Sequence, residues 1–146
     1  MNIRPLVIRD YDNLLDLWLS CHGMGLNNLD DSREGIERFL ARNPDTCFVC
    51  EEEGRLIGAV MAGSDGRRGY IYHTCVREEY RHQGIGTQLV DTVMSALESL
   101  GIHKAALVVF ARNEAGNAFW EKMGFTRRED IVYRNKVIHE MIRRDT

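Results

Sequence analysis

The feature that most constrains this chain is the junction at residues 76–87, where an apolar strand gives way to a polar turn and then to a helix that starts at two closely spaced glycines. Its sequence is Val-Arg-Glu-Glu-Tyr-Arg-His-Gln-Gly-Ile-Gly-Thr. The first backbone N–H groups of such a helix have no partner inside the helix, and they lie at the positive end of its dipole. The junction therefore predicts a binding site for an anion, of which phosphate is the usual example.

The glycines of this junction complete neither of the common nucleotide-binding motifs. A dinucleotide fingerprint needs a third glycine, and a P-loop needs a lysine that is missing between Gly86 and Thr87. The residues alone leave two interpretations open. One is a phosphate site of another kind, and the other is a helix that simply begins at glycines.

The rest of the chain alternates between strand-like and helix-like patterns, which predicts one mixed α/β domain over residues 1–146. The predicted order is β-α-α-β-β-β-α-β-α-β-β, with at least one parallel pair of strands. Strands are expected at 1–9, 46–52, 55–62, 70–76, 103–110, 125–133 and 137–142, and helices at 10–21, from 31 to before Pro44, at 84–100 and at 113–124. The strand at 103–110 is expected to be buried on both faces, and the last two strands are expected to form a hairpin around Asn135-Lys136.

Local signals predict where the helices begin and end. Asp10 is expected to cap the first helix, and Asp31, followed by Glu34, the second. Gly101 suits the position just after the third helix. The expected buried stripes are Leu14, Leu15, Trp18 and Leu19 on the first helix and Ile85, Leu89, Val93, Leu97 and Leu100 on the third.

Composition argues against several other classes of protein. The formal net charge of −3 disfavours nucleic acid as the main partner. No apolar run is long enough to cross a membrane, and the N-terminus lacks the pattern of a secretory signal, so a cytoplasmic protein is expected. Cys47 and Cys50 have CxxC spacing, but residues i and i+3 of a strand point to opposite faces. We therefore expect buried thiols and no metal site.

Two sequence blocks resemble the signatures of the GNAT acetyltransferases. Arg81-His-Gln-Gly84-Ile-Gly86 resembles their Q/R-x-x-G-x-G/A motif, and the strand end Cys75-Val76 precedes it at the expected distance. The segment from Asn113 to Phe125 resembles a second block, N-x-x-A-x-x-L-Y-E-K-x-G-F. The order of the elements is similar to the GNAT fold as well, so the resemblance covers nearly the whole chain.

The resemblance implies a binding site for acetyl-CoA. It places the pyrophosphate on the backbone N–H groups of Arg81, His82, Gln83, Gly84, Ile85, Gly86 and Thr87. The strand that ends at Val76 would splay from the strand at 104–110, and the pantetheine arm would lie in the gap, bonded to the main chain at Cys75 and Val76. A main-chain N–H there could also polarise the thioester carbonyl. Asn113 would touch the pantetheine, cap the last helix, or do both.

The chain departs from the family pattern where catalytic groups are expected. Trp120 stands in place of the tyrosine that serves as general acid in many GNATs, and an indole N–H is no practical acid. It would shape the thioester end of the cleft, or serve only as a core or rim aromatic. A carboxylate is the usual base on the fourth strand, but here the only group on that strand with a suitable pKa is His73. Regular alternation puts His73 on a face with Ile71 and Cys75, unless a bulge intervenes.

Two other residues of this strand have possible roles. If His73 faces away from the cleft, Tyr70 or Tyr72 could order a water chain instead. Cys75 could in principle form an acyl-enzyme, although a small residue is usual at this place in the family.

The function expected from the resemblance is direct transfer of an acetyl group from acetyl-CoA to a primary amine in a ternary complex. The acidic pair Asp30-Asp31 and the loop at 63–69 are the expected rims of the acceptor pocket and would suit a cationic acceptor. Family analogy also suggests a homodimer. Two alternatives remain open: a CoA-binding module without turnover, and a protein that binds ATP or NAD.

Overall fold

The computed structural model describes residues 1–144 and shows a five-stranded sheet with four helices. The elements, in chain order, are β1 (Asn2–Pro5), α1 (Tyr11–Leu19), α2 (Arg33–Arg42), β2 (Phe48–Glu52), β3 (Arg55–Ser64), β4 (Gly69–Val76), α3 (Ile85–Ser99), β5 (Ala105–Ala106) and α4 (Glu114–Lys122). The sheet order is β1-β2-β3-β4-β5; the first four strands are antiparallel, and β5 runs parallel to β4. The predicted mixed sheet with a parallel pair is confirmed.

Helices cover the two faces of the sheet. On one face, Leu14, Leu17 and Trp18 of α1 pack with α2 and are completely buried. On the other face, Leu89 and Val93 of α3 are completely buried as well. Each such side chain contributes roughly 1.5–3 kcal/mol through the hydrophobic effect, so these stripes hold the sheet between its helices.

The CxxC pair follows the strand geometry that the sequence predicts. Cys47 packs in the core on the α1 side and Cys50 in the core on the α3 side, and both thiols are free. Among the residues described, no group of three or more His, Cys, Asp or Glu side chains is placed to hold a metal ion.

Several local predictions about the helices were wrong. Ser32, and not Asp31, caps α2, because its hydroxyl accepts the N–H of Gly35. Asp10 does precede α1, but its carboxylate binds Arg4 and the N–H of Val7. Two residues of the predicted stripes are also exposed: Leu19 of α1, and Leu100, which follows α3 after its last buried turn.

A bulge breaks the alternation of β4. Met61 of β3 pairs with Tyr72, whereas Ala59 pairs with Cys75, so β4 carries one more residue than β3 between these two pairs. His73 lies at the bulge with a φ of +29°, in the left-handed region that side chains seldom adopt. The result is that Ile71 packs on the α3 side of the sheet while Cys75 packs on the α1 side. The bulge also brings His73 against Trp18 of α1.

The last third of the chain differs most from the prediction. The strand expected at 103–110 is paired only at Ala105–Ala106 and is not buried on both faces. The strands expected at 125–133 and 137–142, and the hairpin between them, are not formed. A segment forms a strand only where a neighbouring strand pairs with its backbone N–H and C=O groups. Residues 125–133 and 137–142 have no such neighbour in the sheet. Here the chain end instead meets the loop after α1, through a bridge between Asn27 and Arg143.

No helix within residues 1–144 is both long enough and apolar enough to cross a membrane.

Arg77 fixes the end of β4 and gives a test of the fold. Its buried Nε donates to the carbonyl of Leu56 at 2.8 Å, and a second nitrogen donates to Asp16 at 2.8 Å. Arg77→Met keeps the apolar bulk but leaves the buried Leu56 oxygen without this donor. We expect the free energy of unfolding in urea to fall by about 1–3 kcal/mol.

The matched control is Arg33→Met, because Arg33 makes an exposed ion pair with Asp12. Removal of such a pair should change the free energy of unfolding by less than about 1 kcal/mol. Equal losses for the two variants would contradict the structural role of Arg77.

Candidate active site

The turn after β4 is held open at the start of α3 by two residues in the left-handed region. His82 has a φ of +63° and Gly84 a φ of +83°. A Cβ on Gly84 would meet no atom within 4 Å. The glycine is therefore needed here for its backbone conformation, and not for space. The side chains of Arg81, His82 and Gln83 are exposed around this turn.

The N-terminus of α3 presents donors that no protein group caps. Gln88 donates the first helical bond to the carbonyl of Gly84, so the N–H groups of Ile85, Gly86 and Thr87 point out of the helix end. No side chain caps the helix, and its first turn contains no acidic residue. A carboxylate there would compete with an anionic ligand, so this helix end suits a phosphate.

Gly86 serves a different purpose from Gly84. A Cβ on it would lie 3.3 Å from two ring atoms of Phe119. A larger residue would push α4 away from α3, so Gly86 allows these two helices to approach each other beside the turn.

A gap opens between β4 and β5. The two strands pair only at Gly69 with Ala105 and at Tyr70 with Ala106. Beyond that point β4 continues for six residues to Val76 without pairing to β5. This splay was predicted, and it leaves a slot that leads along β4 towards the start of α3.

The carbonyl of Val76, at the inner end of this slot, already has two neighbours. Arg81 Nε donates to it at 3.0 Å, and Cys21 Sγ lies 3.7 Å from it. The guanidinium of Arg81 therefore folds back over the end of β4. A ligand that used this carbonyl would have to share it with Arg81.

Cys75 is a poor nucleophile in this setting. Its thiol is buried, and contact with the Cys21 thiol together with burial raises the pKa of Cys75 well above its usual value. The thiolate is the reactive form of cysteine, so these surroundings disfavour an acyl-enzyme at Cys75.

His73 and Asp31 form a close pair on the α1 side of the sheet. His73 Nε2 lies 2.6 Å from Asp31 Oδ1, and both side chains are largely buried, with 14% and 4% exposed. The ring of Trp18 packs edge-on against His73 at 5.0 Å between centroids. Because an ionised carboxylate only accepts hydrogen bonds, a bond between these two atoms requires a proton on Nε2.

Asp31 is itself held firmly by its loop. Its Oδ2 accepts the N–H of Asn27 at 2.9 Å, and its backbone carbonyl accepts the hydroxyl of Tyr11 at 2.6 Å. The sequence pattern around Asp31 predicted a helix cap and did not indicate this pairing. The two partners are 42 residues apart, and no local pattern could have joined them.

Aromatic rings line the surface beside this pair. The ring centroids of Tyr70 and Tyr72 lie 4.7 Å apart with the rings tilted by 44°, and Tyr72 meets Phe39 of α2 edge-on at 5.7 Å. Burial raises the pKa of both tyrosines, so their hydroxyls stay protonated at neutral pH and can donate hydrogen bonds. Asp30 is exposed and lies in the loop between α1 and α2, next to this surface.

The groups predicted on α4 lie on the other side of the sheet from His73. Trp120 is half-buried with Phe119 and Phe125 at 5.0 and 5.1 Å, and it packs against the core formed with α3. Asn113 caps α4 by accepting the N–H of Gly116 at 2.9 Å, as one of its two expected roles requires. The structure thus joins His73 to Asp31, and it does not bring Trp120 to that pair.

Comparison with known proteins identifies the family. The model of the acetyltransferase (GNAT) family matches residues 11–125. The chain is 31% identical to an acetyltransferase from Sodalis glossinidius, over 96% of this chain and 97% of that protein. It is 32% identical to an acetyltransferase from Photorhabdus laumondii, over 94% and 96% of the two chains.

Solved structures share the fold at lower sequence identity. A predicted acetyltransferase from Clostridium acetobutylicum, solved with acetyl-CoA, superimposes with a TM-score of 0.74 at 22% identity, over 92% of this chain and 95% of that one. The PaiA N-acetyltransferase from Thermoplasma acidophilum, in complex with coenzyme A, gives a TM-score of 0.76 at 20% identity, over 89% and 92%. With the open helix end, the splayed strands and the family match all in agreement, the chain belongs to the acetyltransferase (GNAT) family and is an acetyl-CoA-dependent acetyltransferase.

Proposed function

We propose that this chain, as one domain, transfers the acetyl group of acetyl-CoA to a primary amine by direct attack in a ternary complex. The observation that carries the proposal is the position of the His73–Asp31 pair. It lies in the stretch of β4 that β5 leaves unpaired, at the slot that leads to the open end of α3. Acetyl-CoA would supply the activated acyl group at this slot.

The residues of the junction fit the phosphates of that cosubstrate. In the proposal, the N–H groups from Arg81 to Thr87 bind the pyrophosphate, and the main chain at Cys75 and Val76 and the side chain of Asn113 contact the pantetheine. The uncapped end of α3 and its lack of acidic residues support this arrangement.

His73 is the proposed base, and Asp31 positions it. An amine is protonated at neutral pH and must lose a proton before it attacks. His73 Nδ1 takes that proton, the nitrogen–carbon bond forms, and the carbon–sulfur bond breaks. The second proton that the nitrogen loses goes to the departing thiolate or to solvent. Asp31 keeps the ring oriented and stabilises the imidazolium. No general acid is required, because a thiol with a pKa near 8.5 is a tolerable leaving group as thiolate.

The aromatic surface of Tyr70 and Tyr72 and the acidic residue Asp30 form the proposed entrance for the acceptor. Aromatic faces and a carboxylate attract cations, so a positively charged amine suits this entrance. Tyr70 would donate a hydrogen bond or hold a water, since its raised pKa excludes a role as base. Trp120 would form one wall of the thioester end. A cytoplasmic location, in which the four free cysteines stay reduced, is part of the proposal.

The reaction itself is tested by free-thiol release from acetyl-CoA with a panel of amines, polyamines, amino acids and peptides. Release that depends on the acceptor, and that is lost in Gly84→Glu, supports the transferase and identifies its acceptor class. Tight binding of acetyl-CoA without release by any acceptor would instead favour a non-catalytic module.

Gly84→Ala tests the phosphate site. An alanine at a φ of +83° costs about 1–2 kcal/mol of strain, so we expect the turn to relax and CoA binding, measured by calorimetry, to weaken about 5- to 30-fold. Gly101→Ala is the matched control, because Gly101 has a φ of +80°, equally open space and a place at the far end of α3. Similar losses of affinity in both variants would show that the effect is one of general stability.

Replacement of the proposed base should affect turnover and not cosubstrate binding. We expect His73→Gln to lower kcat by about 10²-fold or more. Asp31→Asn should lower kcat by less and leave the Kd for acetyl-CoA unchanged, and Asp31→Glu should recover part of the rate. The control is Asp91→Asn, which alters an exposed carboxylate of α3 on the other side of the sheet and should leave kcat unchanged. Unchanged kcat in both His73→Gln and Asp31→Asn would refute the assignment.

Cys75→Ala tests the acyl-enzyme alternative. Because the thiol is buried with a raised pKa, we expect the variant to keep its kcat within a few-fold of the wild type. Mass spectrometry of the wild type after incubation with acetyl-CoA alone should show no acetylated Cys75. Loss of activity together with acetylation at this position would establish the covalent route.

A further inference from the structure

Two of the four cysteines lie against each other at the end of β4. Cys75 is the penultimate residue of this strand, and Cys21 lies in the turn that ends α1. Both pack in the same core cluster on the α1 side of the sheet. Their thiols are free and share a hydrogen bond. The fold therefore brings together two thiols that no local sequence pattern connects.

The other two cysteines are placed differently. Cys47 and Cys50 pack in different core clusters, on opposite sides of the sheet. Burial raises the pKa of Cys47 to about 11 and raises the pKa of Cys50 as well. Both thiols therefore stay protonated at neutral pH, and a protonated thiol is a weak nucleophile. They serve as internal references for the reactivity of the pair Cys21 and Cys75.

The surroundings of Cys21 favour its thiolate. A hydrogen bond from the Cys75 thiol, helped by the nearby Arg81 guanidinium, outweighs burial and lowers the pKa of Cys21 to about 6. The same bond, together with burial, raises the pKa of Cys75 well above its usual value. At neutral pH the pair thus consists of one thiolate and one thiol. Thiol oxidation uses this asymmetry, because the thiolate attacks the oxidant first and the neighbouring thiol then attacks the oxidised sulfur.

Cys21 lies near the surface at the inner end of the slot. Its sulfur is 3.7 Å from the carbonyl oxygen of Val76, to which Arg81 Nε donates at 3.0 Å. The residue itself is 5% exposed, whereas Arg81 is fully in the exposed class of side chains. A small movement of Arg81 therefore opens the sulfur to a molecule as small as hydrogen peroxide.

The bond between the two sulfurs requires a shift at Cys21 and not at Cys75. Cys75 is fixed in the sheet, where it pairs with Ala59 of β3. Cys21 follows the last residue of α1, where the chain enters the loop that leads to α2. A disulfide holds its sulfurs about 2.05 Å apart, which is closer than a hydrogen-bond contact. The turn at Cys21 is thus the part of the fold that closes this distance.

We propose that Cys21 and Cys75 form a reversible oxidation site for a peroxide, of which hydrogen peroxide is the simplest. The Cys21 thiolate attacks one peroxide oxygen, the oxygen–oxygen bond breaks, and hydroxide leaves, so that Cys21 becomes a sulfenic acid. The Cys75 sulfur then attacks the Cys21 sulfur, the sulfur–oxygen bond breaks, and the departing hydroxide takes the Cys75 proton to form water. The two cysteines are oxidised to one disulfide. The peroxide is reduced to two molecules of water once the first hydroxide takes a proton from solvent.

The disulfide joins the end of α1 to the end of β4, the strand that forms one wall of the slot. A dithiol reductant reverses the bond by thiol–disulfide exchange. Such a transient disulfide fits a reducing compartment, where permanent disulfides are rare. The proposal stands apart from the proposed function, since it rests on the contact of two thiols and not on the His73–Asp31 pair.

Peptide mapping without reductant tests the proposal. The reduced full-length protein is treated with hydrogen peroxide, and its remaining thiols are then alkylated. We expect two of the four thiols to be lost and the mass of the intact chain, before alkylation, to fall by two hydrogen atoms. The map should contain one linked pair of peptides, joined through Cys21 and Cys75. A dithiol reductant should restore all four thiols.

Three variants separate the two steps of the reaction. In Cys75→Ala the reaction should stop at the sulfenic acid of Cys21, which dimedone traps. Cys21→Ala should keep its three remaining thiols under the same treatment. Cys50→Ala is the matched control, because it removes a buried thiol on the other side of the sheet, and it should form the same linked peptides as the wild type.

Two results for the wild type would overturn the proposal. One is the retention of all four thiols at a peroxide concentration that oxidises free glutathione. The other is a linked pair of peptides that joins any other two cysteines, or the same cysteine of two chains. Because both readouts come from the wild type, they decide the matter even where a variant folds poorly.

Discussion

The bulge in β4 is the constraint on which the proposed catalytic arrangement depends. With one residue more than β3 between the pairs Met61–Tyr72 and Ala59–Cys75, β4 changes the faces to which its side chains point. Regular alternation would put His73 on the face of Ile71, which packs on the α3 side. The bulge puts His73 beside Trp18 and Asp31 instead. The same local distortion therefore separates His73 from the core on the α3 side and places it beside the loop between α1 and α2.

Backbone strain in this protein is concentrated at the proposed site. Among the described residues, three residues other than glycine have a positive φ: Glu53, His73 and His82. Glu53 belongs to the hairpin between β2 and β3, where a tight turn requires such a conformation. His73 carries the proposed base, and His82 lies in the turn before α3. Strain of this size, of order 1–3 kcal/mol for each residue, persists only where the surroundings enforce it. At His73 the short contact with Asp31 and the packing of Trp18 supply that enforcement.

The sequence predicted well those features that depend on near neighbours. The extent of α3 with Gly101 after it, and the helix cap at Asn113, both follow from residues within one or two turns of chain. It predicted the splay of β4 from β5 through the family resemblance. The His73–Asp31 pair was not predictable in this way, because it joins two segments through the bulge, and a bulge has no sequence signal here. The predicted final hairpin failed for a related reason: alternation specifies a strand, but it does not specify the edge that the strand will join.

The short pairing of β5 determines the shape of the slot beside β4. One wall of the slot is β4, which is fixed by its many pairs with β3 and by Arg77 at its end. The other wall continues from β5, which only two residue pairs hold to the sheet and which has no buried residue. The two walls of the slot therefore differ in how firmly the sheet holds them. The early divergence of β5 from β4 thus opens the slot that the proposed function assigns to the pantetheine.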